Sequence, residues 1–408
     1  MSISAPSTAA PKDESPQKPK ETRFSGVLRE ITQSNATVVF LAIVAALLLA
    51  AVLVAAASSE VQRTAGYLFA RPTDFFGAVW DAVGGAYYSL FRGAIFDPQA
   101  KDFTRMIKPI TETLTSSTPL IFAGLGLGIG FRSGIFNIGA QGQVILGAVF
   151  SGFIGFTFQL PFGVHMLVAM IGGLLAGAFW GGIAGFLKAR FGANEVIVTI
   201  MLNSIAGFLM SYLLTTSAFI RPGSNNPISQ RVHDTAMFPN LLGDPFRLHL
   251  GFVFALLAAW AVWWLMERST LGFKFRAVGF NADAARTAGI KVSATYLYVM
   301  LVSGALAGLG GVAQSLGTEG ALQEGVAGSI GFDAITVALL GRSRPLGIVG
   351  AALLFGALRA GSPLMQAASN TPIDIVQVVQ ALVVLLIAAP PLVRAMFRLP
   401  VPAKEVQA

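Results

Sequence analysis

The chain of 408 residues contains no cysteine, which excludes disulfides, thiolate metal sites and cysteine nucleophiles. Its three histidines, His165, His233 and His249, are scattered without metal-ligand spacing and are expected to be isolated imidazoles at a surface or interface. Charge is scarce: 12% of residues are Asp, Glu, Lys or Arg, about half the share of a soluble domain. No G-x-x-x-x-G-K-[ST] segment exists, so this chain carries no P-loop for ATP. No catalytic constellation, haem ligand pair or zinc site is recognisable, and few charges fall within the apolar runs. That is a thin supply for ion-coupled transport through carboxylate relays.

What dominates instead is apolar sequence. Hydrophobic residues make up 54% of the chain and the mean hydropathy is +0.68. Windows such as 38–57 and 162–187 are long enough and uncharged enough to cross a bilayer as helices. Ten spans are predicted, at about 38–57, 107–130, 135–158, 162–187, 194–215, 248–266, 292–315, 328–341, 345–362 and 373–393. The eighth and ninth are short for a hydrocarbon core of about 30 Å and are expected to be broken or re-entrant. The fold class is therefore an all-α membrane protein, a polytopic helical bundle.

The net charge of +8 raises the question of nucleic acid, and its distribution answers it. With the N-terminus inside, 18 Lys and Arg fall on the cytoplasmic side, including every short basic loop. Nine lie in two outer segments, roughly 58–108 and 216–247, and Arg359 lies near the outer end of the ninth span. The basic balance is a topology signal, with both termini cytoplasmic and no nucleic-acid partner. Residues 1–37 read as a disordered tail and lead-in, 38–400 as the membrane domain and 401–408 as a second tail. The aromatic, Gly- and Asp-bearing stretch Tyr67–Phe91 fits an interfacial amphipathic helix better than a further span.

Spans two to five and seven to ten form two blocks that start from opposite sides of the membrane. Each contains a Gly-rich, polar-interrupted segment, GIFNIGAQGQVILGAVFSGF in the first and GSIGFDAITVALLGRSRPLGIVGAALLFG in the second. Paired interrupted segments in inverted halves point to a transport site near the midplane.

Within FRSGIFNIGAQGQ, Phe131–Gln143, the amides Asn137, Gln141 and Gln143 are hard to bury in hydrocarbon without partners. Phe131 and Phe136 offer flat apolar faces. Two readings stand: a cytoplasmic turn anchored by Arg132 whose amides cap helices, or a segment returning into the membrane with Asn137 and Gln141 lining a cavity. In GANEVIVTIMLNSIAG, Glu195 either snorkels to Lys188 or Arg190 or acts within the membrane. Asn203, two turns deeper, is either a packing hydrogen bond or a pathway amide. Asp333 sits in a short interrupted span and is a further pathway candidate. Gly173, Gly177, Gly181 and Gly185, at four-residue spacing, form a helix-packing face. Lys108 and Glu112 are expected to pair at i,i+4. Thr371-Pro372-Ile373-Asp374 reads as N-cap, N1 proline and first-turn acid of the last span. In the basic loop 267–291, Asn281 is a plausible N-cap for Asp283–Ala288 and Gly289 a C-cap; composition alone makes it a solvated connector.

GFRSGIFNIGAQGQ, GANEVIVTIMLN and FRAVGFNADAARTAGI, in this order and spacing, resemble one branch of bacterial ABC importer permeases. That branch is the general nucleoside type (purine or basic-membrane-protein type), related to the ribose and simple-sugar permeases. The resemblance covers roughly residues 38–400. It implies two inverted repeats, an inner-membrane location and a second homologous permease, forming a heterodimer in the bilayer. It also implies a cytoplasmic ATPase subunit and an extracytoplasmic substrate-binding protein. ATP and Mg would then sit on the ATPase, with no cofactor on this chain and no enzymatic activity of its own. Phe136, Asn137 and Gln141 match the family's pathway motif. Arg276, Gly279, Asn281, Ala284, Ala285 and Gly289 match its ATPase-coupling segment, which overturns the connector reading. A neutral nucleoside asks for amides and aromatic faces rather than fixed charge, which Phe131, Phe136, Asn137, Gln141 and Asn203 supply. The rivals are a simple-sugar permease, an ion-coupled carrier working alone and a membrane scaffold.

Overall fold

The computed structural model describes residues 35–224, 226–369 and 372–398, so most of the two tails and Thr371 lie outside the described residues. In chain order the helices are α1 (Asn35–Ala57), α2 (Ser59–Ala65), α3 (Pro72–Ala94), α4 (Phe103–Arg132), α5 (Ala140–Thr157), α6 (Val164–Phe191) and α7 (Glu195–Thr215). A short strand β1 (Ile228–Arg231) precedes α8 (Gly251–Arg268), α9 (Thr270–Phe280), α10 (Ala282–Thr287) and α11 (Val292–Val312). After a π-helical turn Ala313–Glu319 come β2 (Ala321–Gln323), α12 (Ile330–Leu340), α13 (Pro345–Ser369), α14 (Ile373–Ala388) and α15 (Pro390–Met396). Eight of these helices, among the described residues, are long and apolar enough to cross a membrane: α1, α4 to α8, α11 and α13. The shorter apolar α12 and α14 complete the ten expected spans.

Two boundaries differ from expectation. The ninth span is not short: α13 runs 25 residues, straight through Pro363. A proline ring crowds and orphans the carbonyl four residues back, and here that carbonyl, of Arg359, accepts the Ser362 hydroxyl at 2.9 Å. The eighth span is short as expected, with α12 only 11 residues long, and the tenth is also interrupted, ending at Ala388 and restarting at Pro390. Its first turn holds Asp374 as expected, but Pro372 flanks the helix instead of opening it.

The core forms around α4, whose residues Ser117–Gly130 are all buried, with α11, α12 and α13 packed on it. The glycine face of α6 meets α11. A Cβ on Gly177 would overlap the Gly304 carbonyl and one on Gly304 would overlap that of Gly177, so the backbones touch directly. The α3 helix is amphipathic: Phe76 and Trp80 are exposed, while Ala86 packs with Leu358 and Met365 of α13.

The segment between α7 and α8 folds over the bundle, with β1 antiparallel to β2. Here the histidines depart from expectation, because His165 and His249 are fully buried. His165 Nδ1 bonds the Thr235 hydroxyl at 2.8 Å and its Nε2 lies 3.1 Å from the Ile154 carbonyl, pinning this cap to α5. His249 Nδ1 accepts the Gly251 N–H at 3.2 Å. Burial, and secondarily the Arg247 charge, pushes its pKa down to about 4, so the ring is neutral near pH 7. The Lys108–Glu112 pair is not formed: Glu112 pairs with Arg247 at 3.6 Å, because the folded cap brings Arg247 over α4.

Candidate translocation site

The interrupted segment begins where α4 ends. The Ser133 hydroxyl donates to the Ile129 carbonyl at 2.7 Å, and Gly134 takes φ +69°, turning the chain back. Residues 135–138 are non-helical, and α5 starts at Ala140. Asn203 fixes the depth of this backbone. Its Oδ1 accepts the Gly142 N–H at 2.8 Å and its Nδ2 donates to the Ile138 carbonyl at 2.9 Å. It lies roughly 12 Å along α7 from that helix's start. Irregular backbone is thus carried into the bundle, where protein groups satisfy it. Asn203 caps the first turn of α5 from a neighbouring helix.

Asn137 and Gln143 are buried together and exchange amide hydrogen bonds of 3.1 and 3.3 Å. Asn137 Nδ2 also donates to the Ser303 hydroxyl of α11 at 2.9 Å, and its Oδ1 accepts the Gly139 N–H at 2.9 Å. In this conformation both side chains stand behind the cavity wall and lock α5 to α11. Gln141 points the other way. Its Nε2 donates to the Gly328 carbonyl at 2.7 Å and its Oε1 accepts the Gly331 N–H at 2.9 Å. A Cβ on Gly331 would overlap the Gln141 backbone. The two interrupted segments singled out in the two halves therefore meet at the starts of α5 and α12.

Beside this junction opens a groove of about 380 Å³, lined by Gln141 and Ile145 of α5, by Ser204, Phe208 and Ser211 of α7, and by Glu324–Gly328. Its size and mixed apolar–polar wall suit a small organic solute. Phe131 and Phe136 pack on each other with rings tilted by 33° and centroids 4.9 Å apart, and neither lines this groove. Asp333 is not a lone carboxylate: it pairs with Arg359 at 3.4 Å and accepts the Ser329 hydroxyl at 2.9 Å. Glu195 pairs with Lys188 at 2.6 Å, the snorkelling arrangement. Ser204, Ser211, Glu324, Ser303 and Arg359 were missed as site residues. A lone serine in an apolar run carries no signal until its partner, here 166 positions away for Ser303, is in place.

At the end of the bundle where α8 finishes, the loop 267–291 is two helices. The Asn281 Oδ1 accepts the Asp283 and Ala284 N–H groups at 3.0 and 2.9 Å, and Gly289 takes φ +83°. Ala285 is buried with Val278 and Val292, while Ala284 is exposed. Gly279 lies against the Arg132–Ser133 backbone with no space for a Cβ. Glu267 of α8 bridges Arg132 at 2.7 Å and Arg276 at 3.3 Å. The α9 helix is thereby seated directly on the turn from which the interrupted segment rises. Phe280, 95% exposed at the tip, is a feature the sequence reading missed; an apolar residue at a helix end gives no sign of exposure until its face is known.

Residues 110–388 match the family described as branched-chain amino acid transport system / permease component. The chain belongs to this permease family. It is 40% identical to a guanosine ABC transporter permease, NupP of Bacillus subtilis, over 69% of this chain and 81% of that protein. It is 37% identical to a glucose ABC transporter permease, TsgB13 of Haloferax volcanii, over 68% and 75%. A nucleoside ABC transporter permease, NupB of Lactococcus lactis, is 36% identical over 69% and 79%. The Bacillus and Lactococcus strains each have a second, more distant match of the same description, at 27% and 28% identity. No solved structure matches significantly.

Proposed function

We propose that this chain forms one half of the nucleoside pathway of an ABC importer in a bacterial inner membrane, with purine nucleosides such as guanosine as cargo. The observation that carries this is the 40% identity to a guanosine permease over most of both chains. The groove agrees with it, since its amide, hydroxyl and phenyl groups, with the Glu324 carboxylate as a further acceptor, suit a solute with a π-face and hydroxyls.

The second half comes from a related permease. Two matches in each of two organisms favour a heteromeric pair. The groove is open on the α7 side, where Met201, Ile205, Phe208 and Tyr212 are exposed in a helical stripe. The pathway wall on this chain is Gln141, Asn203 and the groove residues. Asn137 and Gln143 hold it in register, Phe131 and Phe136 stand at its inner end, and the Asp333–Arg359 pair fixes the α12 side.

A separate ATPase binding ATP and Mg docks on α9 and α10, with both termini on that side. Phe280 is the projecting contact, and Arg276, Gly279, Asn281, Ala284, Ala285 and Gly289 shape the element behind it. An extracytoplasmic protein delivers solute to the cap. ATP binding and hydrolysis then bias which face is open.

The glucose permease at 37% identity favours one alternative, sugar transport. Uptake of labelled guanosine in cells expressing the chain with its partners separates the two. Excess adenosine is expected to suppress uptake at least tenfold, while glucose and ribose leave it unchanged. Suppression by sugar but not by adenosine returns the chain to the sugar reading.

A further inference from the structure

The two halves of the bundle hold their interrupted segments differently. In the first half the holding amide comes from that half's own last helix. Asn203, about two turns into α7, takes the Gly142 N–H and donates to the Ile138 carbonyl at the start of α5. In the second half the corresponding amide is Gln380, about two turns into α14. It is 8% exposed, and its Nε2 has no hydrogen-bond partner among the described residues. It faces a cavity of about 270 Å³ between the start of α12, α13 and α14. The nearby hydroxyls are already engaged. Ser329 accepts from Arg359 at 2.8 Å and donates to Asp333 at 2.9 Å, and Ser362 donates to the Arg359 carbonyl.

The start of α12 is held from across the bundle instead. Gln141 donates to the Gly328 carbonyl and accepts the Gly331 N–H. Gly328 lines the groove and Ser329 lines the cavity, so this start is a thin wall with one amide on each side. Gly325 and Gly328 lead into it at φ +81° and +45°, backbone that glycine adopts without strain.

We infer that Gln380 is a positioning residue for transport, which takes over the start of α12 when that start leaves Gln141. The inference rests on the import reading above. Gln141 also lines the groove, so a solute that engages its amide competes with Gly328 and Gly331 for it. By the register of Asn203 on α5, the partners of Gln380 are the Gly328 carbonyl and the Phe332 N–H. Movement toward α14 fills the cavity and pairs the idle amide. The start of α12 is then capped in either position, by a different half in each. A buried amide without a partner is costly in the conformation that leaves it idle, and the second position is where it bonds.

The test is Gln380→Met, which keeps the length and helix preference of glutamine and removes the amide. The unfolding midpoint of the full chain in detergent is expected to rise by roughly 1–3 °C, because no idle amide is buried. Guanosine uptake with the partner subunits, at matched membrane levels, should fall about fivefold, because the second position of α12 loses its bonds. Asn203→Leu breaks bonds already made and should lower both quantities. A lowered midpoint in Gln380→Met would overturn the exchange, by showing that the amide is already bonded to a fixed water. Unchanged uptake would overturn it too, by showing that no second position uses the amide. These failures are distinct from failure of the import reading: a wild type without guanosine uptake contradicts the proposed cargo, while a lowered midpoint contradicts the exchange whatever the cargo.

Discussion

Replacing Gly279 with valine is expected to abolish substrate import while ATP hydrolysis by the associated ATPase continues. The reason is steric. A Cβ at this position overlaps the Arg132 carbonyl and Ser133, which are backbone atoms and cannot swing aside. Overpacking of this kind typically costs about 1–3 kcal/mol, so α9 lifts from the turn while the bundle stays assembled. The Glu267 bridge between Arg132 and Arg276 weakens with it. If the ATPase docks as proposed, it still meets the exposed Phe280, but its movement no longer reaches residues 133–139. Phe280→Ala, in contrast, leaves α9 seated and removes the projecting contact. It should lose the ATPase from the purified complex. Uptake and ATP hydrolysis measured on both variants, at membrane levels matched by immunoblot, distinguish the two outcomes. Normal import by Gly279→Val would remove α9 from the coupling route.

Asn137→Ala is expected to be the most damaging single change within the bundle. It leaves the buried Gln143 amide, the Ser303 hydroxyl and the Gly139 N–H without their shared partner. Each orphaned buried group costs about 1–3 kcal/mol; partners found elsewhere in the bundle reduce the sum to roughly 2–4 kcal/mol. Asn137→Asp separates shape from chemistry. It keeps the acceptor for Gly139 but cannot donate to Gln143 and Ser303, so it should be nearly as damaging. Ser303→Ala removes one bond and should be mild. Thermal unfolding in detergent together with guanosine uptake checks the order. An aspartate variant indistinguishable from wild type would mean that the two donated bonds do not hold the segment.

The sequence made the long spans legible because hydropathy over 18 residues registers the bilayer directly, and Asn281 showed its cap because caps are local. The meeting of the two interrupted segments was visible only as a pairing of patterns. The atoms that make it, Gln141 with Gly328 and Gly331, are nearly 190 positions apart. Asn137 was correctly marked as an amide needing partners. A buried lock and a cavity-lining group leave the same trace in sequence, since both are polar residues in an apolar run. The length of α13 was misjudged at Pro363, a residue that disfavours a helix interior; there the Ser362 hydroxyl satisfies the freed Arg359 carbonyl. The α9 helix was not anticipated; its two glycines, Gly272 and Gly279, disfavour a helix locally and are points of close backbone contact.

The most direct measurement is guanosine uptake into proteoliposomes holding this chain, its second permease and the ATPase, with the binding protein outside and ATP supplied or withheld inside. Uptake that requires ATP and survives collapse of the proton and sodium gradients is the expected result. Uptake that proceeds without ATP and stops when those gradients are collapsed would contradict it, and would make the chain a carrier that works alone.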